Sequence, residues 1–449
     1  MAFPKDFAWG AAAASYQIEG AHRSDGKGES VWDMFVRKQG SVWRGHTGDD
    51  ACDHYHRYRE DVALWKQLGL KAYRLSISWP RVLPSGTGSI NEAGLAFYDR
   101  LVDELLSAGI DPWITCFHWD FPVSLYHRGG WQNRDSADWF ADYAGVLADR
   151  LSDRVTKFMT FNEPQCFVLL GHDSAVHAPG DKLREDEVVR AQHHVLLAHG
   201  KAVQALRARA RQPLRLGYAP VGLISVPATE DPRDLAAAER RMATADASRW
   251  DNVSWYDPVF LGKYPERDGL ISRLPRGFER DLPTIAQPID FCGTNIYFGT
   301  PVRASETGEP EVVPEAPGAP ITALNWPVTP SSLYHGPRFF YERYKKPIVI
   351  TENGLSCRDW VSVDGAVHDP NRIDFMTRYL RELHRAIAEG VPVEGYFHWS
   401  VMDNFEWAEG YRDRFGLIYV DYQTQARTLK DSAHWYAQVI ASNGQRLLE

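Results

Sequence analysis

The sequence predicts an α/β protein folded as a single (β/α)8 TIM barrel with long βα loops, spanning residues 1–449 as one unit. Three observations predict it. Eight short apolar runs recur along the chain, the readable segments between them have helical period, and the polar residues of the runs collect at their carboxyl ends. Strands covered on both faces read as continuous apolar runs rather than alternating ones. Such strands, alternating with helices, form a parallel sheet, and eight of them close into a barrel. Length alone suggests about three domains at roughly 150 residues each. No linker composition interrupts this chain, and barrels of this kind exceed that size.

The elements follow in order. The first run covers residues 7–13. Tyr55, Tyr58, Val62, Trp65 and Leu68 then fall on one face of a helix that Gly69 ends. The second run is 72–78, and Tyr98, Val102 and Leu105 lead through a helix to a stop at Gly109. Runs 112–118, 157–162, 215–221 and 290–297 supply strands three to six. Residues 301–330 contain seven prolines with little periodicity; they read as a long surface loop that walls one side of a cleft through Trp326. The seventh run is 347–352. Phe375, Tyr379, Leu380, Leu383, Ala386 and Ile387 form the next helical stripe, closed by Gly390 and Pro392, before the eighth run at 393–400.

Composition bounds the function. The net charge of −9 and pI near 6.0 give no basic surface for nucleic acid. Five cysteines form no CxxC pair, and the odd number argues against a disulfide framework. The first residues lack the layout of a signal peptide, and no apolar run approaches the ~18 residues of a membrane span. A cytoplasmic protein with no membrane partner is the expectation; its oligomeric state is open.

Polar residues mark one ring. Arg74 and Ser76 lie on the second run, His118 ends the third, and Asn162-Glu163 ends the fourth. Asn295 and Tyr297 end the sixth, Glu352-Asn353 the seventh, and His398-Trp399 the eighth. A buried strand carries a carboxylate only where it is paired or used, and barrel enzymes keep their chemistry at this end. Two glutamates across a barrel mouth suit glycoside hydrolysis, in which one carboxyl protonates the leaving oxygen while the other attacks carbon or activates water. A structural salt bridge is the bland alternative for either one.

The motifs Ser15-Tyr-Gln-Ile-Glu-Gly20, Arg74-Leu-Ser-Ile-Ser-Trp79 and His118-Trp-Asp120 recur with Thr160-Phe-Asn-Glu-Pro164, Ile350-Thr-Glu-Asn-Gly354 and Asp403-Asn-Phe-Glu-Trp407. Together they resemble glycoside hydrolase family 1, whose members are retaining barrel glycosidases. The resemblance implies a β-glucosidase-type enzyme acting on small β-glycosides, with Glu163 as acid/base and Glu352 as nucleophile. It implies that Gln17, His118, Asn162, Trp399, Glu406 and Trp407 hold the sugar. Arg74, Asn295 and Tyr297 would support the reaction, with Arg74 keeping Glu352 ionised. Around Trp326 the segment reads Asn325-Trp-Pro-Val-Thr-Pro330 where the family carries Gly-Trp-Glu, so the family's leaving-group preference does not carry over to this chain. A transglycosylase on the same scaffold, or a non-catalytic carbohydrate binder, are the alternatives.

No metal and no cofactor are expected. His54 and His56 form an HxH pair near Asp53, but they enter a helix, where i and i+2 diverge. His193, His194 and His199 read as solvent-facing or packing residues of another helix. Arg412 and Arg414 could reach a phosphate at the sugar's C6, but surface pairing with Asp413 or Glu409 is the reading adopted.

Overall fold

The computed structural model describes residues 3–266 and 269–447. Eight parallel strands close into a barrel: β1 (Ala8–Ala12), β2 (Ala72–Ser76), β3 (Asp111–Phe117), β4 (Lys157–Asn162), β5 (Arg215–Ala219), β6 (Phe291–Asn295), β7 (Ile348–Asn353) and β8 (Val393–Trp399). Each strand pairs with its neighbours in chain order, and β8 closes on β1 with Ala8 opposite Gly395 and Ala12 opposite Trp399. Every predicted run is a strand. Most end short of the predicted bounds, because Ser78, His118, Tyr297 and Ser400 lie just beyond the last paired residue.

Helices cover the outside as the periodicity requires. Tyr55, Tyr58, Val62 and Trp65 are the buried face of helix His54–Gln67, and Phe375, Tyr379, Leu380 and Leu383 that of helix Pro370–Ala388. The barrel interior is aromatic. Trp113 meets Phe291 and Phe397 edge-on, with ring centroids 5.5 and 5.2 Å apart. Gly10 and Gly217 make this filling possible. A Cβ on Gly10 would lie 2.5 Å from the Phe397 ring, and one on Gly217 would lie 2.2 Å from Phe291. Two missing methyl groups thus admit two phenyl rings, as a close-packed core demands.

Two expectations need correction. Residues 301–330 are not wholly an irregular loop, because Gly299–Ala304 pairs in parallel with Ile224–Pro227 and antiparallel with Pro310–Val312. Pro310 opens an edge strand, where no ladder donor is needed, so prolines hid this small sheet. Val302 anchors it by packing against Ala237 and Ala238. The rest of the segment turns back at an Ile321–Pro327 bridge and brings Trp326 to the mouth. The three helical histidines are all buried, which leaves packing and removes the solvent-facing reading. His193 lies between Tyr264 Oη and Asp281 at 2.8 and 2.9 Å, His194 meets the Trp131 carbonyl, and His199 meets Thr160 Oγ1. His54 turns inward to Asp61 while exposed His56 pairs with Asp53, so the two rings diverge. Among the described residues no helix is long and apolar enough to cross a membrane.

Candidate active site at the carboxyl end of the barrel

The two glutamates sit on the two strands whose pairing breaks at the mouth. On β7 the register shifts after Ile350 against both neighbours, and on β4 it shifts between Met159 and Asn162. Such irregularities re-aim side chains at strand ends. Glu163 itself has φ +44°, and Trp119 and Trp407 are also left-handed at +79° and +48°. Bulky residues seldom adopt that region, which costs on the order of 1–3 kcal/mol each. Three such residues gather around one cleft.

The surroundings of the two carboxylates differ. Glu352 Oε1 accepts from Arg74 Nη1 at 2.5 Å, and Oε2 accepts from Tyr297 Oη at 2.7 Å. Arg74 is fixed in turn, donating from Nη2 to Asn162 Oδ1 at 2.6 Å and from Nε to Thr115 Oγ1 at 3.1 Å. Among the described residues no cation contacts Glu163. Its Oε1 accepts from Asn295 Nδ2 at 2.9 Å, and Thr351 Oγ1 donates to Asn295 Oδ1, which sets the orientation of that amide. Asn295 Nδ2 also donates to Asn162 Oδ1.

Charge follows from this geometry. Both carboxylates are buried, at 8% and 3% exposure for Glu163 and Glu352, and burial pushes both above the ordinary carboxylate range. At Glu163 the negative charge of Glu352 adds to that rise. At Glu352 the Arg74 guanidinium and the Tyr297 hydroxyl pull the other way. The contacts therefore favour the charge on Glu352 and the proton on Glu163. The environments divide two like groups into an acid and an anion.

The other half of the mouth is flat and polar. The His118 ring stacks near-parallel to Trp399 and to Trp407, at 5.7 and 5.9 Å between centroids. Burial and the Arg74 charge hold His118 well below its usual pKa, so its neutral Nε2 accepts from Asn162 Nδ2 at 3.0 Å. Gln17 Nε2 donates to Asn404 Oδ1 and to the Phe405 carbonyl, both at 3.0 Å, and approaches Glu406 Oε2 at 3.5 Å. Burial and four surrounding carboxylates, Glu352 first, hold the Glu406 carboxyl well above its ordinary pKa. Trp326 stands edge-on to Tyr297 at 5.1 Å.

Gln17, Arg74, His118, Asn162, Glu163, Asn295, Tyr297, Trp326, Glu352, Trp399, Glu406 and Trp407 lie around the carboxyl ends of the strands. Two contributors escaped the sequence reading. Asn404 holds Gln17, and Trp119 donates to the Asn162 carbonyl while stacking on Trp407 at 4.5 Å. Both lay inside motifs already noted, beside residues that drew attention first.

A parallel barrel with two buried carboxyls in unlike surroundings at its mouth, between aromatic faces, is arranged as a glycoside-cleaving enzyme. Residues 1–445 match glycosyl hydrolase family 1. Beta-glucosidase A of Thermotoga maritima is 44% identical over 447 residues, 98% of each chain. A bifunctional beta-D-glucosidase/beta-D-fucosidase of Bifidobacterium breve is 42% identical, covering 99% of this chain and all of that one. The solved Thermotoga maritima beta-glucosidase in complex with glucoimidazole superposes with a TM-score of 0.91 at 43% identity over 99% of both chains. The chain belongs to glycosyl hydrolase family 1, and its reaction retains anomeric configuration.

Proposed function

We propose that this protein is a β-glucosidase in which Glu352 is the nucleophile and Glu163 the acid/base, and that residues 1–449 act as one catalytic unit. The observation that carries the assignment is the asymmetry of the pair. Arg74 and Tyr297 hold Glu352 as an oriented anion, while Glu163 keeps its proton.

The two steps follow from that placement. Glu352 attacks the anomeric carbon and forms an ester as the C–O bond to the leaving group breaks, and Glu163 delivers its proton to the departing oxygen. Glu163, now anionic, takes a proton from water, whose oxygen attacks the same carbon and releases Glu352. The product keeps the β configuration after two inversions. The retaining geometry places the carboxyls about 5–5.5 Å apart, too close for water between them.

Gln17, His118, Asn162 and Glu406 face the hydroxyls of the non-reducing sugar, and Trp399 and Trp407 cover its C–H faces. Gln17 Oε1 is buried and has no hydrogen-bond partner among the described residues. An unmet acceptor costs about 1–3 kcal/mol, which a sugar hydroxyl recovers on binding. Trp326 lies on the leaving-group side. Small β-glycosides are the substrates, and no observation favours acceptor transfer or binding without catalysis.

Unphosphorylated glucosides should be preferred. Arg412 pairs with Glu409 and Asp413 at 2.5 and 2.8 Å. Arg414 is not the surface partner expected for those residues; it reaches inward to Asp403 at 2.6 Å, because its chain leads into the core beside Tyr419 and Tyr422. Both arginines are already held by carboxylates of the protein, and the carboxylates that surround Glu406, Glu352 first, disfavour a further anion at that edge. With nitrophenyl β-glycosides, kcat/KM for the glucoside should exceed that for its 6-phosphate by about tenfold or more, on the order of 1.4 kcal/mol. A panel of such glycosides tests the proposal. Turnover of the glucoside supports it, and silence across the panel with intact sugar binding refutes it.

A further inference from the structure

Behind the sugar-holding half of the mouth lies a buried network of three carboxylates and three cations. Lys430 Nζ donates to Asp403 Oδ1 at 2.7 Å and to Asp359 Oδ2 at 2.6 Å. Arg414 Nη1 donates to Asp403 Oδ2 at 2.6 Å. Arg372 binds Asp359 at 2.8 Å, the carboxylate of Asp369 and the Arg414 carbonyl. Lys430, Arg372, Asp403 and Asp369 have fully buried side chains.

Stability does not account for such a cluster. Taking charges out of water costs several kcal/mol per ion, and apolar residues of the same volume often serve stability as well or better. What charged pairs supply is direction. Asp359 follows the strand that carries Glu352, and Asp403 opens the segment that carries Asn404, Glu406 and Trp407. Lys430 ties the two together just before helix Asp431–Ala441.

The links onward from Asp403 are short. Its Oδ1 also accepts from the Gly416 amide, its own amide donates to the Ile418 carbonyl, and its carbonyl accepts from Cys52 Sγ. The next residue, Asn404, donates to Ser400 Oγ and the Met402 carbonyl, and its Oδ1 receives Gln17. Hydrogen bonds thus run from Lys430 through Asp403 to the backbone beside it, and from Asn404 to Gln17, which approaches Glu406.

We infer that Asp403 and Lys430 are positioning residues that set the sugar-binding edge formed by Gln17 and Glu406, an inference resting on the sugar contacts proposed above. They touch no reacting atom. Their effect is to keep that edge in register with the nucleophile's strand, so that binding of the sugar's outer hydroxyls contributes to the reaction.

The test compares two substrates that differ only at that edge. Lys430→Met, Lys430→Gln and Lys430→Arg are assayed on nitrophenyl β-glucoside and on nitrophenyl β-xyloside, which lacks the hydroxymethyl group. Rates are normalised to active enzyme by a covalent titrant. The neutral variants should lose about tenfold in kcat/KM on the glucoside and less than about threefold on the xyloside, so that their ratio collapses. Lys430→Arg, which keeps the charge, should restore most of the ratio. A purely structural role would lower both rates together. An unchanged ratio in either folded neutral variant overturns the inference, as does failure of both neutral variants to fold while Lys430→Arg stays intact. Wild-type inactivity on both glycosides would instead overturn the functional proposal.

Discussion

Replacing Glu352 with alanine should lower kcat on nitrophenyl β-glucoside by about 10⁴-fold or more, the scale seen when a covalent nucleophile is removed. The fold should survive, because Arg74 keeps Asn162, Thr115 and the Thr351 carbonyl as partners. Sodium azide should restore turnover. The small anion enters the space left by the carboxylate, beside the Arg74 guanidinium, and attacks the anomeric carbon from that face. The product is then the α-glycosyl azide, formed with a single inversion. Proton NMR of the product decides the matter, since a β-azide or no rescue would remove Glu352 from the nucleophile's role.

Loss of Glu163 should depend on what leaves. With Glu163→Ala, alkyl β-glucosides and cellobiose should lose about 10²–10⁴-fold in kcat/KM, the usual contribution of a positioned proton donor. Dinitrophenyl glucoside, whose leaving group needs no proton, should keep the rate of its first step within about tenfold. Equal losses on both would show that Glu163 is not the acid.

The pH profile carries the same signature. Glu163 reacts in its protonated form, and its pKa is raised by burial and by Glu352. Wild-type kcat/KM on an alkyl glucoside should therefore hold through neutral pH and fall only as pH rises through that elevated value. In Glu163→Ala on the dinitrophenyl substrate, this alkaline limb should vanish.

Much of this site was legible along the chain because barrels place chemistry where strands end. A run such as Lys157–Asn162 is buried, and the change from Phe161 to Asn162 and Glu163 marks the point where it meets the mouth. The small sheet was not legible. Pro301 and Pro310 argue against strands locally, and pairing with Ile224–Pro227 decides otherwise. The unequal surroundings of the two glutamates do not follow from local pattern. Arg74 and Glu352 stand 278 residues apart in sequence, so the resemblance to the family supplied their pairing, while the contact of Gln17 with Asn404 across 387 appears only when the barrel closes. Arg414 was misread for the same reason, since neighbours in sequence offered it plausible partners while the fold supplied Asp403.

The central claim is that Glu352 becomes covalently bonded to the sugar, and trapping that bond tests it most directly. A 2-deoxy-2-fluoro-β-glucoside with a good leaving group suits the purpose, because the fluorine slows both steps while the leaving group lets the first outrun the second. Peptide mapping by mass spectrometry of the inactivated protein should find one fluorosugar, on the peptide containing Ile350-Thr-Glu-Asn-Gly354, at Glu352. A label on Glu163, or inactivation without any covalent adduct, would contradict the assignment.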